Sequence, residues 1–269
     1  MFVNLSVGPF ILMYHSIGDN TADPYSVSAN SFREQLTWLV DNGYEFVSLS
    51  WLHQSLMAGR DKHLRKKVVI TFDDGYQDFI TNALPILSDH GAPATVFLVT
   101  ALLGKMAIWD KSVENGKLMT VEEVQAIKAH GISLGSHTAT HANLARLTNE
   151  ELVIQLDHSH DFLAHMGETF FSLSYPWGQW SSRVVNAVRG AGYECALAVG
   201  QHTRLTAGNS YVLPRVTMRR DTGQKHFQAQ MTKTGLEMEL RRGYRAVRNG
   251  VPGLQGRHHP VTDAGGREQ

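Results

Sequence analysis

Apolar and polar positions form two alternating patterns along roughly the first 220 residues. Continuous apolar runs at 10–14, 68–72 and 94–99 predict buried parallel strands. Between them lie amphipathic stretches, such as 32–42, whose apolar side chains share one helical face and which ends at Gly43. This alternation predicts an α/β fold made of repeated βα units.

A hydroxyl residue followed three positions later by a glutamate marks the start of several predicted helices. The pairs are Ser31 and Glu34, Thr120 and Glu123, and Thr148 and Glu151. Further strands are predicted at 132–134, up to Tyr175, at 193–199 and at 213–218, with a helix over 181–189. About seven βα units result, without an internal repeat. We expect a distorted or incomplete (β/α) barrel rather than an open doubly wound sheet, because no Gly-rich phosphate turn is present.

Composition and charge exclude several classes of protein. The 269 residues are 42% hydrophobic and 19% charged, which excludes a disordered or fibrous chain. The 25 Lys and Arg balance 25 Asp and Glu, which argues against nucleic acid or an anionic membrane as the main partner. The single cysteine, Cys195, lies in an apolar run and is expected to be a buried thiol.

The two ends of the chain differ in character from the rest. Residues 241–269 hold six arginines against two acidic residues, so we expect one domain over 1–234 and a basic, partly disordered tail over 235–269. Contact with a polyanion is the alternative interpretation of that tail. Residues 1–14 contain no Lys or Arg and no apolar run approaches 18 residues, so we expect a cytoplasmic chain without a spanning helix, monomeric by default.

The segment Thr71-Phe72-Asp73-Asp74-Gly75 places two adjacent carboxylates directly after a buried strand. The carboxyl ends of the strands are where βα folds carry their reactive groups. Two such charges in an apolar cleft require a cation or a shared proton. The alternative is a turn that only caps the next helix.

Two histidines, His137 and His141, follow another predicted strand. Four positions apart, they face the same side if the turn is helical, so both imidazoles could bind one ion. A coincidental surface pair is the alternative. Together with one carboxylate they make three ligands and leave a position for water or substrate, which predicts metal-dependent hydrolysis.

Two further strand ends carry candidate residues. The segment Tyr175-Pro176-Trp177-Gly178 stiffens a loop, and the faces of Trp177 and Trp180 could stack on a sugar ring. A purely structural turn is the alternative interpretation. His15 follows the first strand and joins the same rim if the barrel closes; otherwise it is an ordinary loop residue.

The segments TFDDG, HTATH and YPWG, in this order, resemble the first three motifs of the NodB-homology polysaccharide deacetylases, carbohydrate esterase family four. The resemblance covers about residues 10–218. The N-terminal MYHSI is most similar to the poly-N-acetylglucosamine deacetylase branch, where a histidine motif usually found late in the chain stands at the start. His226, the nearest late candidate, has neighbours that do not match.

The resemblance implies a role for each matching residue. Asp74, His137 and His141 would bind a divalent metal, with Zn²⁺ best suited to two imidazoles and a carboxylate, and Co²⁺ or Ni²⁺ also fitting. Asp73 would be the general base acting on the attacking water. His15 would be the general acid that protonates the departing amine.

The third motif implies the oxyanion and substrate contacts. A backbone N–H near Trp177, within 175–178, would stabilise the oxyanion together with the metal. Many family members carry an arginine shortly before the proline of this motif, but here residues 171–175, directly before Pro176, include no Lys or Arg. Arg215 either supplies that charge or makes an ordinary structural pairing. The family's fourth motif, an acidic pair before a tryptophan, is not found.

The implied activity is the metal-dependent removal of N-acetyl groups from a glycan that contains N-acetylhexosamine, or from its precursor. A hydrolase of another C–N amide on the same scaffold is the first alternative. A non-catalytic glycan-binding protein is the second, although binding alone needs no paired base and metal.

Overall fold

A computed structural model describes residues 8–60, 63–109, 116–200 and 205–232. The strands in these ranges are β1 (Phe10–Tyr14), β2 (Ser16–Ile17), β3 (Ser26–Val27), β4 (Glu45–Phe46), β5 (Lys67–Phe72), β6 (Ala94–Leu98), β7 (Ser133–Ser136), β8 (Ser172–Ser174), β9 (Cys195–Val199) and β10 (Leu213–Thr217). The helices are α1 (Ala29–Asp41), α2 (Leu49–Met57), α3 (Leu84–Asp89), α4 (Val121–Ala129), α5 (Asn149–His165), α6 (Ser182–Gly190) and α7 (Gln224–Met231).

Seven parallel strands form a closed barrel in the order β1, β5, β6, β7, β8, β9, β10. The first strand closes it, because Leu12 pairs with Ile70 of β5 on one side and with Val216 of β10 on the other. The short β4 pairs with the beginning of β5, and β2 pairs with β3 outside the barrel. The predicted α/β barrel of about seven parallel strands is thus confirmed.

Successive residues of β5 pack into two different apolar clusters, since side chains alternate between the faces of a strand. Ile70 and Phe72 join the large cluster that contains Phe32 and other helix residues. Val69 belongs to a second cluster together with Ile11, Phe97 and Leu197 from neighbouring strands, and with leucines of α2. Cys195 is fully buried in this second cluster, as the sequence predicts.

The capping signals were only partly correct. Thr120 and Thr148 each form the predicted capping box. The first helix instead begins one turn earlier, at Ala29, because the Ser28 hydroxyl accepts the backbone N–H of Ser31 and is the true N-cap. The helices α2 and α7 were not predicted.

The helix α7 joins the barrel domain through α1. The rings of Trp38 and Phe227 lie 5.8 Å apart in an edge-to-face arrangement, and the Tyr44 hydroxyl donates to the backbone oxygen of Met231 at 2.7 Å. The predicted tail over 235–269 lies outside the described residues, so its boundary stays a prediction. None of the helices in the described ranges combines the length and the apolar character needed to cross a bilayer.

Candidate active site

Four of the predicted residues directly follow strands of the barrel. His15 follows β1, Asp73 follows β5, His137 follows β7 and Tyr175 follows β8. Because the carboxyl ends of parallel strands meet at one rim, these residues lie together. They line a single cavity of about 250 Å³.

Asp74 and the two histidines form a compact group of possible metal ligands. Asp74 Oδ1 lies 3.4 Å from His137 Nε2 and 3.3 Å from His141 Nε2, and all three residues are buried. Two ligand atoms that each lie about 2.05 Å from a tetrahedral ion are separated by about 3.3 Å. The spacing therefore fits one divalent cation, with a fourth coordination position left open as in catalytic sites.

The two imidazoles converge, but through a tight turn and not through the helical turn that was the condition for their facing the same side. Thr138 and His141 both adopt left-handed backbone conformations, with φ of 68° and 61°. The hydroxyl of Ser136 accepts the backbone N–H of Thr138 at 3.0 Å and holds the start of this turn.

Left-handed backbone conformations concentrate at this site. Outside glycine, five described residues have positive φ, and four of them lie here: Asp74, Thr138, His141 and Trp177. Each costs of order 1–3 kcal/mol and persists only where the surroundings impose it, which is typical of functional sites. Gly75 continues the turn after the carboxylates with φ of 79°, and a β-carbon there would lie 2.9 Å from Leu98.

Burial keeps both imidazoles neutral. It lowers the pKa of His137, and it lowers the pKa of His141 to about 2. His137 Nδ1 lies 2.9 Å from the backbone oxygen of Ser174, which leaves Nε2 toward Asp74. A neutral imidazole oriented by its second nitrogen is the form that binds a cation.

Asp73 is paired with a buried arginine. Arg215, in β10, places Nη1 2.7 Å from one carboxylate oxygen and Nη2 2.7 Å from the other. The Ser174 hydroxyl also donates to Asp73 at 3.0 Å. Burial is the largest single influence and by itself would raise the pKa of the Asp73 carboxyl. The charge and hydrogen bonds of Arg215, together with the nearby His137 and His15, outweigh burial and hold this pKa below its ordinary range. The structure therefore places Arg215 where an orienting cation would stand.

His15 lines the same cavity and packs on Tyr25, with ring centroids 4.7 Å apart. Asp23, which is buried, lines the same cavity. Sequence analysis missed Asp23 and Tyr25, because they lie in the connection between β2 and β3 and follow no long apolar run.

Of the two tryptophans predicted to stack on a sugar, Trp177 lines the cavity and Trp180 does not. Trp177 lines the cavity and is 55% exposed, with Gly178 beside it and Pro176 buried. Trp180 is exposed but is not among the residues lining the cavity, so its predicted stacking role is not supported. Trp109, which the sequence analysis missed, lines the cavity and stacks on His141.

Comparison with known proteins shows the family to which this chain belongs. The profile of the family described as Polysaccharide deacetylase matches residues 60–196, just over half of the chain. YxkH of Bacillus subtilis (strain 168), named as a polysaccharide deacetylase, is 32% identical over 210 residues, which are 77% of this chain and 70% of that protein.

A second relative has a more specific name. The poly-beta-1,6-N-acetyl-D-glucosamine N-deacetylase of Escherichia coli (strain K12) is 32% identical over 135 residues, which are 47% of this chain and only 20% of that protein. Among solved structures, the Streptococcus pyogenes deacetylase PplD, in complex with acetate, superposes with a TM-score of 0.73 over 85% of this chain and 100% of that one, at 24% identity. That likeness supports the fold. With its profile match and its relatives, the chain belongs to the polysaccharide deacetylase family, carbohydrate esterase family four.

Proposed function

We propose that this protein is a metal-dependent N-deacetylase of a polysaccharide that contains N-acetylhexosamine, with poly-β-1,6-N-acetylglucosamine as the first candidate substrate. One observation carries the proposal: the two adjacent carboxylates have different partners. Asp73 pairs with a buried arginine, whereas Asp74 lies against two neutral imidazoles. The name of the Escherichia coli relative supports the candidate substrate.

The group formed by Asp74, His137 and His141 would hold the metal. A divalent cation bound there would polarise the acetamide carbonyl and acidify a water molecule. We propose Zn²⁺, because two imidazoles and one carboxylate suit an ion of borderline softness, and Co²⁺ or Ni²⁺ could replace it.

Asp73 is suited to act as the general base. Its carboxylate stays ionised because Arg215 pairs with both oxygens, and the Ser174 hydroxyl fixes its orientation. An ionised carboxylate at the cavity wall can accept the proton of the attacking water. Arg215 would act through Asp73, by holding it ionised and in place.

His15 would be the general acid. An amine leaves poorly unless it is protonated, and an imidazolium near neutral pH is suited to donate that proton. His15 lines the cavity and its ring packs on Tyr25, which restricts its orientation.

Backbone hydrogen bonds exclude some N–H groups of residues 175–178 as the oxyanion donor, because those groups already have an acceptor. The N–H of Tyr175 donates to the oxygen of Leu197 at 3.1 Å, and the N–H of Gly178 donates to the oxygen of Tyr175 at 3.0 Å. Pro176 has no N–H. Trp177 stands between these residues with a left-handed backbone, φ of 60°, and beside the cavity. The Trp177 N–H is therefore our candidate for the oxyanion donor.

Acetate release tests the proposed function. The protein is incubated with β-1,6-linked and β-1,4-linked N-acetylglucosamine oligomers and with a simple aliphatic acetamide, before and after removal of metal by a chelator and re-addition of Zn²⁺. We expect acetate from the β-1,6-linked oligomers, its loss with the chelator and its return with Zn²⁺. Release from the simple acetamide alone would favour the hydrolase of another C–N amide. Oligomer binding without any release would favour a glycan-binding protein.

A further inference from the structure

The two histidines of the proposed metal group are supported in different ways. His137 Nδ1 lies 2.9 Å from the backbone oxygen of Ser174. His141 Nδ1 is buried and, within the part of the chain that the structure describes, has no hydrogen-bond partner. A metal-binding histidine usually donates its second ring N–H to an oxygen, which fixes the orientation of the ring. Another contact with the described residues orients the His141 ring.

That contact is an aromatic face. The indole of Trp109 lies parallel to the His141 imidazole, with ring centroids 4.2 Å apart and 11° between the planes. Trp177 approaches the same imidazole edge-on, at 4.9 Å and 74°. Offset-stacked and edge-to-face pairs are the favourable arrangements of aromatic rings. Two indoles thus restrict both the tilt and the translation of His141.

We propose that Trp109 is a positioning residue of the metal centre, whose stacked indole sets the orientation of the ligand His141. The inference rests on the proposed function only in requiring that the Asp74, His137 and His141 group binds a divalent cation.

The position of Trp109 is itself fixed by packing. Its side chain is partly buried and packs against a small apolar cluster of Tyr76, Val99, Ala107 and Leu118. This cluster lies apart from the two clusters of the barrel. The connection between β6 and α4 therefore has a core of its own, which holds the indole in place.

Backbone hydrogen bonds tie this connection to both turns that carry metal ligands. At its start, the N–H of Ala101 donates to the oxygen of Ala139, inside the histidine turn, at 2.8 Å. At its end, the N–H of Met119 donates to the oxygen of Gly75, directly after the two carboxylates, at 3.0 Å. The described residues on both sides of 110–115, with Trp109 among them, are thus tied to the turns that carry Asp74 and His141.

Cobalt binding tests the inference without any substrate. Apo-protein is titrated with Co²⁺, its affinity is measured by competition with a chromophoric chelator, and the visible absorption of bound Co²⁺ reports the ligand geometry. The variants are Trp109→Ala, Trp109→Phe and Trp109→Leu, with Trp51→Ala as the matched control. Trp51 is a half-exposed tryptophan on α2 that does not line the cavity.

We expect Trp109→Ala to weaken Co²⁺ binding by about 10- to 100-fold, the range seen when a ligand's supporting contact is lost. Its Co²⁺ spectrum should shift as well. Trp109→Phe keeps a flat ring and should bind within about threefold of the native protein. Trp109→Leu keeps apolar bulk without a ring and should resemble the alanine variant, which covers the case in which Trp109→Ala fails to fold. Trp51→Ala should bind Co²⁺ like the native protein.

Native Co²⁺ affinity and an unchanged spectrum in Trp109→Leu would overturn the inference, as would a phenylalanine variant as weak as the leucine variant. Failure of the proposed function looks different: the native protein would bind Co²⁺ with a Trp109-dependent affinity and release no acetate from any oligomer.

Discussion

Arg215 contacts both carboxylate oxygens of Asp73 at 2.7 Å, from a strand 142 residues further along the chain. Both side chains are almost completely buried, so the guanidinium and the carboxylate solvate each other in place of water. This contact explains how two neighbouring carboxylates can share one apolar cleft. Asp73 is neutralised by a cation of the protein, whereas Asp74 faces the two imidazoles.

Removing the arginine charge should cost stability. Arg215→Met leaves a buried carboxylate without its partner, and we expect the free energy of unfolding to fall by about 3–5 kcal/mol. Urea denaturation at pH 7 measures this. Arg33→Met is the matched control, because Arg33 and Asp89 form an exposed pair, worth about 0–1 kcal/mol.

The same pair sets a dependence on pH. In the folded protein the pKa of Asp73 lies below its unfolded value of about 4, so the stabilisation is fully present above pH 4 and is lost as the pH falls below it. The stability gap between native protein and Arg215→Met should therefore narrow from pH 7 to pH 3. An equal gap at both pH values would contradict the assigned ionisation of Asp73.

Loss of the proposed acid should separate turnover from metal binding. We expect His15→Ala to lower kcat by about 10²- to 10⁴-fold, the usual contribution of general acid catalysis, and to retain bound metal. Acetate release and metal analysis on the same sample measure both. His226→Ala, on α7 and hydrogen-bonded to Gln230, should change neither. Metal loss in His15→Ala would make His15 a ligand instead.

Ionisation of Asp78 should make the native protein less stable as the pH rises from 5 to 8. Burial raises the pKa of this carboxyl to about 6, despite the hydrogen bond that the Ser16 hydroxyl donates to it, and the negative charge of Asp23 adds to the shift. A raised folded pKa stabilises the protein below the unfolded pKa, and this contribution is lost as the pH rises through 6.

Asp78→Asn removes that titration. Relative to the native protein, the variant should gain about 1–1.5 kcal/mol in free energy of unfolding between pH 5 and pH 8, since about one pH unit of this titration lies in that window. Urea denaturation at the two pH values measures the gain. A difference between variant and native protein that stays constant from pH 5 to pH 8 would show that Asp78 does not titrate there.

One glycine of the barrel is required for close packing. A β-carbon at Gly135, in β7, would overlap the ring of Phe97 on the neighbouring strand. We expect Gly135→Ala to lower the free energy of unfolding by about 1–3 kcal/mol. Gly190→Ala, at the end of α6 with no atom within 4 Å of the added carbon, should be neutral or stabilising by up to about 1 kcal/mol. Equal midpoints of urea denaturation for the two variants would be inconsistent with this packing.

Much of the site could be predicted because reactive residues directly follow apolar runs. Asp73 and His137 stand at the ends of β5 and β7, and any parallel barrel brings such positions to one rim. Strands such as β1, β5 and β6 were visible as continuous apolar or β-branched runs. The closure of the barrel by β1 then brought His15 to the same rim.

The parts that the sequence did not reveal depend on tertiary contacts. The turn from His137 to His141 uses left-handed conformations at Thr138 and His141, which are uncommon outside glycine and strongly disfavoured for a β-branched residue such as Thr138. Trp109 lies in an irregular connection whose path is fixed by backbone bonds to distant turns. The cytoplasmic location, the monomeric state and the nature of residues 235–269 stay predictions.

Two matched variants, Asp73→Asn and Asp74→Asn, test most directly whether the adjacent carboxylates have different roles. Each variant is analysed for bound Zn²⁺ and for acetate release from β-1,6-linked N-acetylglucosamine oligomers. We expect Asp73→Asn to keep one Zn²⁺ and lose turnover, whereas Asp74→Asn should lose the Zn²⁺ as well. Native turnover in Asp73→Asn, or full Zn²⁺ content in Asp74→Asn, would contradict it.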